Sequence, residues 1–133
     1  MSVESFDPGM ASTELTDAVV AQLLSLAGEL NPLQPDEFVV ASELRGQLAF
    51  SITGDQWAGR LEPLQDHDLV ALVQFFTLME HRYPGWEAGA KSAVIPMVRE
   101  LKNRKAYSSE ITRWIKSNTD NKFLPHGSLS DLL

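Results

Sequence analysis

Residues 66–84 read DHDLVALVQFFTLMEHRYP, and this stretch decides the fold. Leu69, Val70, Leu72, Val73, Phe75, Phe76, Leu78 and Met79 wrap almost the whole way round a helix. A helix that is apolar on every side has to be enclosed by neighbours on at least two of them. The spacing predicts a central apolar helix over residues 67–83, capped by Asp66 or Asp68 and closed by the turn Tyr83-Pro84-Gly85-Trp86. Its apolar run, Leu69 to Met79, is interrupted by Gln74 and Thr77 and falls well short of the ~20 residues that cross a bilayer. No membrane association is expected.

The flanking segments read as amphipathic helices able to enclose this one. Ser12 or Thr13 caps a first helix with the stripe Leu15, Val19, Leu23, Leu26 and Leu30, and Asn31-Pro32 ends it because proline forces its predecessor out of the α region. A second opens at Pro35-Asp36-Glu37 and runs through Phe38, Ala41, Leu44 and Leu48 to about residue 51. A cap at Thr53 or Asp55 and a short helix through Trp57 and Leu61 follow. The alternation of Leu48, Phe50 and Ile52 ahead of Thr53-Gly54-Asp55 also fits a β-hairpin over residues 47–61. Helix is favoured, since two strands alone beside a bundle are only marginally stable.

Beyond the centre, a fourth helix runs from Glu87 to Lys105 with Ala90, Val94, Met97, Val98 and Leu101 inward. Pro96 is expected to kink it and leave the Ser92 carbonyl free. Ser108 or Ser109 caps a fifth, Glu110 to about Ser117, and Phe123 and Leu124 anchor the chain after it. The expected fold is all-α, an irregular bundle of about five helices around the central one. Residues 1–12 are read as a flexible arm and residues 13–133 as a single helical domain whose tail docks through Leu129, Leu132 and Leu133.

The chain has 133 residues, 44% hydrophobic and 22% charged, with no cysteine. A core of this size holds together without disulfide or metal. The lack of cysteine excludes thiol nucleophiles, iron–sulfur clusters and Cys-ligated zinc, and fits a reducing compartment. The opening MSVESFDPGMAS has neither the basic start nor the apolar run of a signal peptide, so a cytoplasmic protein is expected. No GxGxxG, Walker, GxSxG or HExxH pattern occurs, and no cofactor is expected. Asp66-His67-Asp68 and Glu80-His81 are the densest metal-capable residues. His67 and His81 are 14 residues apart, roughly 21 Å along a helix, so capping and solvated surface are preferred to a metal role.

The net charge of −7 is unevenly spread. Residues 1–70 hold twelve acidic side chains against two basic ones, whereas residues 71–133 hold six against nine. The cations concentrate in residues 99–122 as Arg99, Lys102, Arg104, Lys105, Arg113, Lys116 and Lys122, with Tyr107 and Trp114 among them. Such a segment suits a phosphate backbone with stacked bases. It is also what helix C-termini and solvated faces ordinarily carry. An acidic and a basic face on one domain favour contact with another protein or a second copy. Trp57, Tyr83 and Trp86 are the anchors of such a contact wherever they are exposed, and core filling where they are not. The sequence points first to a small cytoplasmic helical interaction or regulatory module without catalytic activity. Nucleic-acid binding through residues 99–122 comes second, and an enzyme whose site assembles only in the tertiary fold third.

Overall fold

In the computed structural model, which describes residues 14–127, the central helix runs from Asp66 to Arg82, one residue from the predicted limits at each end. Five α-helices appear among the described residues: α1 (Asp17–Gly28), α2 (Ser42–Leu48), α3 (Asp66–Arg82), α4 (Val94–Asn103) and α5 (Ser109–Asn118). The fold is all-α, and α1, α4 and α5 pack directly on α3. Leu69, Leu72, Val73, Phe75 and Met79 of α3 are fully enclosed, which is what its all-round apolar surface requires. No described helix is long and apolar enough to cross a membrane. The predicted N-terminal arm and the docking of residues 128–133 lie outside the described residues.

Local chemistry sets the helix ends. Thr16 caps α1, its Oγ1 accepting from the Val19 N–H at 3.2 Å, so the helix begins later than Ser12 or Thr13 would place it. The buried stripe is accordingly Val20, Leu23, Ala27 and Leu30, with Val19 and Leu26 at its flanks. At α3 the Asp68 carboxylate reaches back to the Gln65 N–H at 3.1 Å, so the cap is built by Gln65 and Asp68 together.

Two predicted helices are corrected. Pro35–Glu37 forms a single 3₁₀ turn, the chain is extended at Phe38, and α2 begins only at Ser42. The amphipathic spacing was accidental: Phe38 and Val40 are buried while Val39 between them is exposed, an extended alternation. Likewise α4 begins at Val94, so Pro96 falls in its first turn, where a missing N–H goes unnoticed, and no mid-helix kink is needed. The Ser92 carbonyl is not free; it accepts from the Ile95 N–H at 3.1 Å.

Residues 47–61 do not form a hairpin. Two 3₁₀ turns, Ala49–Ile52 and Gly54–Trp57, continue from α2, and the Ile52 carbonyl accepts from the Ala93 N–H at 2.8 Å. This bond, beside the lone bridge between Thr53 and Ser92, ties the turns to the start of α4. Trp57 closes them from within, its ring edge-on to Phe76 at 5.7 Å and its Nε1 donating to the Ser51 carbonyl at 2.8 Å.

Candidate protein-interaction surface

The segment that joins α1 to α2, residues 31–41, is where the surface departs most from an ordinary polar one. Asn31 starts it, its Oδ1 accepting from the Leu33 N–H at 3.0 Å and its carbonyl from the Gln34 N–H at 2.9 Å. The Phe38 N–H then closes the 3₁₀ turn on the Pro35 carbonyl at 3.1 Å. The Phe38 ring stands edge-on to Phe75 of α3 at 6.0 Å and pins the segment to the core.

Side chains from α2, α3 and α5 hold the rest of its backbone. Trp114 Nε1 donates to the Pro32 carbonyl at 2.8 Å. Arg82 donates to the carbonyls of Pro35, at 3.3 Å, and of Phe38. The Val40 N–H donates to the Tyr83 hydroxyl at 3.4 Å and the Val40 carbonyl accepts from Arg45 Nε at 3.1 Å. The Arg45 guanidinium also lies 4.0 Å from the centre of the Tyr83 ring. A connection fixed at this many points has little ordering left to do on binding.

What this fixed backbone presents is apolar and acidic. Leu33 is 90% exposed and Val39 71%, the large hydrophobic side chains left in solvent among the described residues. Glu29 and Glu37 line a depression with Val39, Asp36 and Glu43 lie close by in the sequence, and none of the four has an ion-pair partner among the described residues. Neither Leu33 nor Val39 was reached from the sequence. The available signal was Phe38-Val39-Val40, whose alternation places Val39 outward once the segment is taken as extended.

The residues singled out in the sequence fall elsewhere. Trp57, 0% exposed, and Trp86, 4% exposed, are core side chains, so the expected aromatic anchors are not on the surface. Tyr83 is half-buried and serves the 31–41 segment through its hydroxyl. Arg104 is spent on structure: it donates to Glu100 at 2.8 Å, Asp66 at 3.1 Å and the carbonyls of Leu61, Glu62 and Leu64 at 2.6–3.2 Å, stapling the loop before α3. Lys105 ends α4 in the left-handed region with φ 60°, while the Ala106 N–H bonds the Leu101 carbonyl.

The remaining cations have differing local partners. Arg99 lines a cleft of about 610 Å³ with Lys91, Asp55 and Pro96. Lys102 bonds His126 Nδ1 at 2.7 Å and lies 5.5 Å from the Tyr107 ring. Burial, then Lys102 and Lys116, depress the His126 pKa below its usual range. Tyr107 is held by its hydroxyl to Thr112, and burial raises its pKa. Arg113 and Lys116 are exposed on α5, and Lys122 reaches over Phe123 at 5.6 Å.

One titratable group that the sequence reading left on the solvated surface is buried. Glu80, 6% exposed, takes all three of its bonds at Oε1, from the Ala88 and Gly89 N–H groups at 3.2 Å each and from Asn121 Nδ2 at 2.7 Å. Burial raises its pKa despite these donors. Its place was legible, because Glu80 follows Phe76 and Thr77 by four and three residues and so shares their buried face. The carboxylate ties the end of α3 to the loops before α4 and after α5. Among the described residues no three His, Asp or Glu side chains come together as a metal site.

Compared with known proteins, the chain matches no family model, no curated protein and no solved structure.

Proposed function

We propose that this chain is a small, cytoplasmic, non-catalytic helical module that binds another protein through residues 31–41. The observation that supports this most is the pairing of Leu33 and Val39, exposed to 90% and 71%, with a backbone held in place by Trp114, Arg82, Tyr83 and Arg45. A fixed support under two solvent-facing apolar side chains costs its partner little ordering and supplies the apolar contact that binding needs. The nearby carboxylates select the partner by charge and speed its approach. The cysteine-free composition is in keeping with a reducing cytoplasm.

The test is capture from native cell extract by the immobilised full chain, by Leu33→Glu/Val39→Glu, and by a control, Lys91→Glu/Arg99→Glu, in the 610 Å³ cleft. Proteins retained by the wild type and the control but lost from the Leu33/Val39 variant are the expected result. Equal retention by all three removes the assignment of the surface.

A further inference from the structure

We infer that this surface takes an extended, basic peptide segment of its partner by strand addition along Val39–Ala41, with one lysine or arginine of that segment seated between Glu29 and Glu37. The inference rests on the reading that residues 31–41 form the binding surface, and adds what kind of chain binds there and how.

Phe38 is extended, with φ −78° and ψ 127°, and the burial of Phe38 and Val40 on either side of exposed Val39 gives the two-residue alternation of a strand. In an extended chain the N–H and C=O of alternate residues face the same edge. The inner edge is filled: the Phe38 carbonyl takes Arg82, the Val40 N–H takes Tyr83, and the Val40 carbonyl takes Arg45. The outer edge is open, since the Val39 N–H, the Val39 carbonyl and the Ala41 N–H have no partner among the described residues. Side chains thus complete one edge of a short strand and leave the other as a template.

This edge decides between kinds of partner. Any protein that covers the exposed Val39 side chain also strips water from the backbone groups beside it. A helix has no spare backbone donors to replace that water, and each buried unpaired group costs about 1–3 kcal/mol. An extended segment replaces the water with its own N–H and C=O groups.

Charge selects within that class. Beside Val39 lies a depression of about 290 Å³ lined by Glu29, Asn31, Gln34, Glu37 and Phe38. Asn31 Oδ1 takes the Leu33 N–H at 3.0 Å and Asn31 Nδ2 donates to Gln34 Oε1 at 3.3 Å, so the two amides are tied to one another and to the backbone. The charged groups of the depression are the Glu29 and Glu37 carboxylates, neither paired with a cation among the described residues. They call for a cationic side chain, which a neighbouring strand delivers from alternate positions.

The experiment uses the full chain, labelled with ¹⁵N, and a short acetylated, amidated peptide of alternating lysine and valine. Two further peptides are N-methylated at one or the other alternate set of residues. The expected result is movement of the Val39 and Ala41 amide resonances, with affinity about tenfold lower for one of the two N-methylated forms, because only one set of N–H groups faces the edge. Glu29→Gln/Glu37→Gln is expected to weaken the parent peptide by a similar, salt-dependent factor. Unmoved Val39 and Ala41 amides, equal binding by both N-methylated forms and the parent, or an unaffected carboxamide variant each overturn the inference. The extract capture through Leu33 and Val39 would stand or fall separately, so failure of the binding mode is distinguishable from failure of the binding surface.

Discussion

Replacing Glu80 by alanine removes the one acceptor shared by the Ala88 and Gly89 N–H groups, at 3.2 Å each, and the Asn121 amide at 2.7 Å. An intramolecular hydrogen bond nets about 1 kcal/mol, and more when the acceptor is charged. Three donors stranded together would cost about 3–5 kcal/mol, and relief of the buried charge returns part of it. The expected destabilisation is about 2–3 kcal/mol. Glu80→Gln keeps an oxygen for the donors and drops the charge, so it should stay within about 1 kcal/mol of wild type at neutral pH. Urea unfolding followed by tryptophan fluorescence measures both. With a slope of about 1.5 kcal/mol per molar, the alanine midpoint should fall by roughly 1.3–2 M.

The pH dependence carries an independent sign. Burial raises the Glu80 pKa above 4.5, so the folded chain holds this proton more tightly than the unfolded chain does. The contribution of Glu80 to stability is therefore greatest below the unfolded value and declines as pH rises through the interval up to the folded one. The stability of wild type relative to Glu80→Gln should fall across that interval and then level. An alanine variant within about 0.5 kcal/mol of wild type would refute the tether, and a difference from Glu80→Gln that grows with pH would contradict burial as the dominant influence on the carboxyl group.

Trp114→Phe deletes the bond to the Pro32 carbonyl at 2.8 Å while leaving most of the ring, so it should cost about 1 kcal/mol and speed amide exchange at Leu33 and Gln34 more than in α3. Lys105→Gly should raise stability by about 0.5 kcal/mol in the same urea assay, because φ 60° strains any residue with a Cβ. The His126 pKa is depressed, so the unfolded chain gains this proton first and stability should fall as pH drops below about 6.5. His126→Gln should flatten that part of the curve.

How much of this was legible follows from the kind of signal each part carries. The central helix was readable to within a residue because an all-round apolar run has only one low-energy environment. Pro96 misled because a proline inside an apolar period reads as a kink, whereas a proline in a first turn reads as a start, and only the fixing of Ser92 and Ala93 by the turn at Ile52 decides between them. Phe38, Ala41, Leu44 and Leu48 fit a helical period by coincidence; the extended chain at Phe38 is imposed from outside by Arg82, Tyr83 and Arg45. The interaction surface was hidden for the same reason, since Leu33 and Val39 become exposed only after long-range bonds fix the backbone that carries them. Trp57 and Trp86 drew attention as large aromatics, and large aromatics are mostly buried, as these are.

The most direct test of the central claim is photo-crosslinking in native cell extract, with a photoreactive amino acid placed at Val39 and, separately, at Lys91 beside the cleft on α4. Residues 31–41 as the binding surface predict a discrete protein adduct from position 39 and none from position 91. An adduct from position 91 alone, or none from position 39, would contradict it.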